Sequence, residues 1–148
     1  MWATLSNMGW QIVLCTHNGL LLSHEDEWNF AIWKNMNGSC IGTWNVRSMN
    51  QGKLEVVKQE MTRLKIDILG ISELRWTGIC EFNSDDHYIY YCGQESLRRN
   101  GVAIIVNKRV QNAILGWNLK NDRTISVCFQ GKPFNIMIIQ VYPPIRNI

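Results

Sequence analysis

The sequence predicts an α/β fold of layered strands with few helices, and three observations predict it. A short β-leaning stretch, CIGTWNV (40–46), is followed by an amphipathic segment and then by a continuous apolar run, IDILGISE (66–73). Four more strand-like stretches follow, and the turn-like QGKPF (130–134) joins the last two. A strand–helix–strand order indicates a parallel crossover, whereas short strands joined by turns indicate antiparallel pairing.

The first helix is expected over 50–65. Its apolar residues recur at intervals of three and four, which places them on one helical face: Leu54, Val57, Met61 and Leu64. Either Ser48 or Asn50 is expected to cap the N-terminus of this helix. The apolar run after it is typical of a strand that is buried on both faces.

The later strands are expected where β-branched and aromatic residues lie between turn residues. They are HYIYYC (87–92), GVAIIVN (101–107), TISVCFQ (124–130) and FNIMIIQVY (134–142). The last two are expected to form a hairpin.

The chain divides near residue 40. Residues 1–39 hold four of the seven tryptophans and show no sustained hydrophobic period, so we expect an irregular or poorly ordered leader there. The apolar stretch 10–22 is too short for a membrane-spanning helix, and we assign no signal peptide and no transmembrane helix. Because the chain stops as the last strand ends, we expect 40–148 to be the first half of a domain that is cut short.

Composition permits several functions and argues against a few. Hydrophobic residues make up 46% and charged residues 18% of the 148 residues, which is ordinary for a globular protein. The net charge of +3 permits nucleic-acid binding without demonstrating it. The five cysteines form no CxxC pair, so a zinc knuckle is not indicated and free thiols in a reducing, intracellular compartment are expected. Neither a Walker loop nor a GxSxG motif is present.

Two polar residues end the two strands predicted to be parallel. Asn45 closes the first and Glu73 closes the second. Ligand sites in α/β sheets gather beyond the carboxyl ends of parallel strands, so this amide and carboxylate could converge on one metal ion and one phosphate. The alternative is that Asn45 belongs to a turn and Glu73 is a solvated charge.

Basic residues flank the strand predicted at 101–107. Arg98 and Arg99 precede it, and Lys108 follows it with Arg109. Basic turns of this kind can contact nucleic-acid phosphates, or they can simply be solubilising charges. Arg47 and Arg75, which follow the two parallel strands, are further candidates for nucleic-acid contact.

Three stretches resemble a known family. They are 42–78 (GTWNVRSMN through SELRWTG), 90–110 (YYCGQESLRRNGVAIIVNKRV) and 134–144 (FNIMIIQVYPP). Together they resemble the N-terminal half of an endonuclease domain of the exonuclease–endonuclease–phosphatase superfamily. The version they resemble is carried by RTE-type (BovB-like) non-LTR retrotransposons and by the related craniofacial development protein 2-like proteins.

The resemblance implies a four-layered α/β sandwich, here partial, and magnesium-dependent cleavage of DNA, with nuclear location if the chain acts on DNA. It implies that Asn45 belongs to the active site, that Glu73 with Asn45 binds the metal ion, and that Tyr142 positions the phosphate. The family's later GDWN-type motif and final aspartate–histidine pair are absent from this sequence, and Pro143 replaces the alanine of its YAP-type motif. We therefore expect a truncated, inactive, retrotransposon-derived endonuclease with weak or absent Mg²⁺ binding. A non-catalytic nucleic-acid-binding module and a transposon remnant without selected function are the alternatives.

Overall fold

The computed structural model describes residues 2–7, 10–15, 24–26, 30–34, 40–46, 48–49, 52–130 and 135–141. Within these ranges the chain forms two helices, α1 (Lys53–Leu64) and α2 (Lys108–Gln111), and twelve strands. The strands are β1 (Trp2–Asn7), β2 (Trp10–Cys15), β3 (His24–Asp26), β4 (Phe30–Lys34), β5 (Cys40–Asn45), β6 (Ile68–Ser72), β7 (Ile79–Ser84), β8 (His87–Cys92), β9 (Val102–Asn107), β10 (Ile114–Asn121), β11 (Thr124–Phe129) and β12 (Ile136–Val141).

The strands form two sheets. The larger has the order β3-β4-β5-β6-β9-β8-β7, and the smaller has the order β1-β2-β12-β11-β10. Strands β5 and β6 run parallel, as the strand–helix–strand pattern predicts, and the remaining neighbours among the described strands are antiparallel. The chain is therefore a mixed α/β protein that consists mostly of strands in two sheets with few helices.

One apolar core lies between the two sheets. Alternate residues of the larger sheet, including Ile41, Ile68 and Ile104, pack against Val127 and Ile138 of the smaller sheet. All five are at most 4% exposed. Alternation along each strand sends one set of side chains to this core and the other set to the opposite face.

A second core lies on that opposite face, beneath α1. Val57 and Met61 of the helix are fully buried against Leu69, Ile71 and Ile105 of the sheet. The spacing of apolar residues in the sequence predicts this buried face correctly.

The start of α1 differs from the prediction. The residue at the N-cap is Gly52, with φ of 84°, and no side chain of the described residues caps the helix. Ser48, a predicted cap, lies four residues before this N-cap, and its backbone amide donates a hydrogen bond of 2.7 Å to the carbonyl oxygen of Glu73. Asn50, the other predicted cap, lies outside the described residues.

Within residues 1–39 the structure describes four short segments, and each of them is a strand. They are β1 to β4, and β2 pairs with β12 while β4 pairs with β5. The pairs β1–β2, β3–β4 and β4–β5 join segments that are close in the chain, whereas β2 also pairs with the distant β12. Within the described part of the chain, no helix has the length and apolar character needed to cross a membrane.

Candidate functional site

The carboxyl ends of the parallel strands bring Asn45 and Glu73 together. Asn45 lies opposite Ser72 in the register, and Glu73 is the next residue along the chain. The pairing continues beyond the strands, because the amide of Val46 donates to the carbonyl oxygen of Ser72 at 3.2 Å. The backbones of the two predicted site residues are thus neighbours at one edge of the sheet. Glu73 is half-buried, whereas the side chain of Asn45 is not among those that the structure describes.

The backbone at this edge is unusual. Ser48, Glu73 and Arg75 have positive φ values of 100°, 55° and 59°. Such conformations are uncommon for residues other than glycine, and they are found preferentially at functional sites. Each costs on the order of 1 kcal/mol or more, so surrounding contacts must hold the chain in place.

A basic loop packs against this edge. It connects β8 to β9 and contains Arg98 and Arg99. The amide of Leu74 donates to the carbonyl oxygen of Gly101 at 3.1 Å, and the amide of Arg75 donates to that of Asn100 at 2.7 Å. The side chains of Arg75, Arg98 and Arg99 are exposed, and we call these three residues the basic edge.

Asp122 fixes the basic loop to the smaller sheet. Its carboxylate accepts hydrogen bonds from Nε2 of Gln94 at 3.0 Å and from Nδ2 of Asn100 at 2.9 Å. Its carbonyl oxygen accepts one from the amide of Gly101, also at 3.0 Å. Burial alone would raise the pKa of Asp122, but the hydrogen bonds from Asn100 and Gln94 outweigh it and hold the pKa below the usual range.

Sequence reasoning missed Asp122. The sequence indicates only that the polar segment NDR (121–123), before the strand predicted at 124–130, forms a turn. Nothing in that segment identifies the loop that the turn contacts, since Gln94 and Asn100 are more than twenty residues away.

Lys108 does not join the basic edge. Strand β9 runs antiparallel to β6, so Lys108, at its end, lies at the opposite edge of the sheet, about 17 Å away. The amide of Lys108 donates to the carbonyl oxygen of Asp86 at 2.8 Å, in the β7–β8 turn. Its neighbour Arg109 donates hydrogen bonds to the buried carboxylate of Asp67. Arg47 and Tyr142, the other predicted site residues, lie outside the described residues.

The predicted magnesium ligands at this edge are Asn45 and Glu73. Across the described ranges, no group of three or more histidine, cysteine, aspartate or glutamate residues is arranged to hold a metal ion. Magnesium prefers octahedral oxygen ligands and is usually held by one or two carboxylates together with substrate phosphates. Of the two predicted ligands, only Glu73 provides a carboxylate.

A second polar cluster lies between α1 and the β7–β8 turn. The side chain of Lys58 is 6% exposed, and its Nζ is 2.8 Å from oxygens of Glu55 and Asp85. These residues border a cavity of about 380 Å³, together with His87. His87 is 4% exposed, and its Nε2 has no hydrogen-bond partner among the described residues. Burial, with the nearby charge of Lys58, holds the pKa of His87 below its usual value. Asp85 and Asp86 of the adjoining turn are exposed, whereas the imidazole of His87 is buried.

Comparison with known proteins gives two close relatives. The chain is 81% identical over 105 residues to Craniofacial development protein 2 of Bos taurus and 80% identical over 105 residues to the protein of that name of Tragulus javanicus. The match covers 71% of this chain but only 18% of each relative, so the chain spans less than a fifth of their length. No family model matches the sequence.

These relatives correct the interpretation of the chain as a truncated, retrotransposon-derived endonuclease. Both bear the name Craniofacial development protein 2, and neither is named as an endonuclease of RTE, BovB or any other non-LTR retrotransposon. The assignment is therefore wrong. The stretches that suggested it correspond to one strand–helix–strand unit and some later strands, and elements of this kind are shared by proteins with different functions.

Proposed function

We propose that the basic edge binds the phosphate backbone of DNA without cleaving it. The observation that carries this proposal is the hydrogen bond from the amide of Arg75 to Asn100, which holds two separate basic segments side by side. Phosphate contacts from arginine supply most of the sequence-independent affinity of a protein for DNA. The net charge of +3 is compatible with such binding.

The exposed guanidinium groups of the basic edge suit an anionic partner. Three exposed guanidinium groups lie on two adjoining segments. The carboxylate of Asp122 faces the amides of Gln94 and Asn100, so it is engaged in holding the loop. Arginine presents a rigid, planar set of donors that matches a phosphate group, which suits the basic edge to a nucleic-acid backbone.

We propose the absence of cleavage because of the residue types available at the edge. Hydrolysis of a phosphodiester needs an activated water molecule and stabilisation of developing charge, both commonly supplied by metal ions. Glu73 is the one carboxylate among the predicted catalytic residues. Binding without cleavage requires neither an activated water molecule nor stabilisation of developing charge.

We also propose that the two sheets are the central layers of a sandwich of the exonuclease–endonuclease–phosphatase type. In support, the sheets share one apolar core and α1 covers the outer face of the larger sheet. An experimental structure of the chain tests this proposal. A different connection between β5 and β6, or sheets that do not face each other, would exclude it.

The test of DNA binding is the fluorescence anisotropy of a labelled duplex titrated with the protein at several salt concentrations. Arg98→Gln with Arg99→Gln removes two charges from the basic edge. The matched control is Lys65→Gln with Lys108→Gln, which removes two exposed charges from the opposite edge of the sheet. We expect the first variant to bind more weakly and to lower the salt slope by about 1.8, because each phosphate contact contributes about 0.9.

The control variant should bind with nearly the affinity and salt slope of the unmodified chain. Equal losses in both variants would indicate attraction by net charge alone and would refute a site at the basic edge. No salt-dependent binding at low ionic strength would refute the proposed function altogether.

A further inference from the structure

Aromatic side chains line the open side of the two-sheet sandwich. Strands β7 and β10 are the outermost described strands of their sheets on this side. The ring centroids of Tyr88 and Tyr90 are 5.0 Å apart, and those of Tyr90 and Trp117 are 5.1 Å apart. The three rings therefore form a continuous row across the gap between the sheets, which we call the aromatic row.

The row is only partly covered. Tyr90, in its middle, is 3% exposed, whereas Trp117 is 48% exposed and Tyr88 is half-buried. Trp117 pairs with the fully buried Val127, so its position on the strand is one that faces the core. β10 is the outermost described strand of the smaller sheet, and no described strand covers the ring on this side. The half-exposed indole of Trp117 continues the row of rings to the surface, so one ring of the row is accessible to a ligand.

The aromatic row is connected to the basic edge. Trp117 precedes Asp122 by five residues along β10 and the following turn, a distance of about 17 Å. Asp122 holds the loop that contains Arg98 and Arg99. The open side of the sandwich therefore leads from accessible rings to exposed guanidinium groups.

We infer that the aromatic row stacks the bases of single-stranded DNA whose backbone continues to the basic edge. This inference rests on the proposed function and names its preferred substrate form. Aromatic rings bind unpaired bases by stacking, with little regard to sequence, and a basic surface alongside them holds the phosphates. The bases of a duplex are already stacked on each other, so they cannot use Trp117 in this way.

Charge near the aromatic row orients the bound DNA strand. Glu81 lies on β7 opposite Tyr90, and its carboxylate disfavours a phosphate on that side. The DNA backbone is therefore placed on the β10 side of the row, away from Glu81, with its bases turned towards Tyr88 and Trp117.

The experiment compares a labelled single strand of about ten thymidines with a duplex of the same length. In Trp117→Leu, affinity for the single strand should fall about 5- to 150-fold, the range expected for one stacked base. Its salt slope and its affinity for the duplex should stay unchanged, because no phosphate contact is removed. Arg98→Gln with Arg99→Gln should weaken binding of both DNA forms and lower the salt slope.

Two variants guard against a general loss of structure. Leu115→Ala removes another exposed apolar side chain from β10 that is 56% exposed and lies outside the row, and it should leave both affinities unchanged. Trp117→Phe keeps a ring and should retain most of the affinity for the single strand. Circular dichroism confirms that each variant is folded.

The outcomes separate the two proposals. If the duplex binds through the basic edge but Trp117→Leu leaves single-strand affinity intact, the stacking inference is wrong and the proposed function stands. Equal losses for single strand and duplex in Trp117→Leu would also overturn the inference. If Trp117→Leu abolishes self-association in sedimentation velocity without changing single-strand affinity, the row is a protein interface instead. If neither DNA form binds, both proposals fail.

Discussion

The backbone amide of Arg75 donates a hydrogen bond of 2.7 Å to the carbonyl oxygen of Asn100. Both residues have positive φ values, 59° for Arg75 and 52° for Asn100. The bond joins the segment after β6 to the loop before β9, although 25 residues separate them in the chain. It is this contact that turns basic residues from two segments into one surface.

Asp122 should position that surface, and Asp122→Ala tests its role. The substitution removes the acceptor of two side-chain hydrogen bonds, from Gln94 and Asn100. We expect it to lower the free energy of unfolding by about 1–3 kcal/mol, measured by urea denaturation. We also expect weaker DNA binding, because the loop with Arg98 and Arg99 loses its anchor.

The direction of the change in DNA affinity distinguishes a positioning role of Asp122 from a purely electrostatic effect. Removing a negative charge next to a basic loop would by simple electrostatics strengthen DNA binding. Glu95→Ala is the control, since it removes an exposed carboxylate from the same loop and should strengthen binding slightly. Stronger binding in Asp122→Ala would contradict a positioning role.

Gly93 should tolerate no side chain. A Cβ at this position would lie 1.9 Å from the carbonyl oxygen of Trp76, which is backbone and cannot move aside like a flexible side chain. We expect Gly93→Ala to reduce the free energy of unfolding by about 1–3 kcal/mol or more, measured by thermal or urea denaturation. Gly116→Ala is the control, because a Cβ there would meet no atom within 4 Å. A Gly93→Ala variant as stable as Gly116→Ala would show that the Trp76 segment can shift.

His87 should make the fold sensitive to mild acid. Because burial holds its pKa below the usual value of about 6.5, the unfolded chain takes up the proton first as the pH falls. Its contribution to stability is therefore complete above about pH 6.5 and declines below that pH, by up to about 1.4 kcal/mol per pH unit.

Urea denaturation at a series of pH values from about 7.5 to 5.5 measures this effect. In His87→Gln the decline should be smaller, because the uncharged amide does not titrate. Aspartate and glutamate side chains titrate mainly below this window, so they contribute little to the difference between the two proteins. Identical pH profiles for the two proteins would rule out His87 as the source.

Magnesium should bind the chain weakly or not at all in the absence of DNA. Glu73 provides the one carboxylate of the predicted ligand pair, and Mg²⁺ keeps its water shell unless several oxygen ligands replace it. Isothermal titration calorimetry should show no saturable heat, and Glu73→Gln should give the same result. A saturable signal that Glu73→Gln removes would establish a metal site that includes residues beyond those described.

The local pattern of the sequence predicts much of the central unit. Apolar spacing identifies the buried face of α1 around Val57 and Met61, and the strand–helix–strand order identifies β5 and β6 as a parallel pair. Strand β8 matches its predicted range, His87–Cys92. These features are local in sequence, because periodicity and turn residues act over a few residues.

Such local patterns do not predict which distant segments pair with each other. Strand β10 was missed because its side chains are largely exposed and two register shifts interrupt its pairing with β11. Strand β2 pairs with β12, which lies more than 120 residues further along the chain, and no local pattern indicates that pairing. Ile79, at the start of β7, is apolar but exposed, because β7 is the outermost described strand of its sheet. Its residue type alone would predict burial.

For the candidate site, the sequence by itself determined that Asn45 and Glu73 follow two parallel strands and hence lie at one edge. Only the tertiary structure decided which basic residues lie beside them. Arg98 and Arg99 join Arg75, whereas Lys108 lies at the other end, because β9 runs antiparallel to β6 and each strand separates its two ends by about 17 Å. The role of Asp122 and the accessible ring of Trp117 were likewise decided by how the two sheets face each other, a relationship among residues that no short stretch of sequence contains.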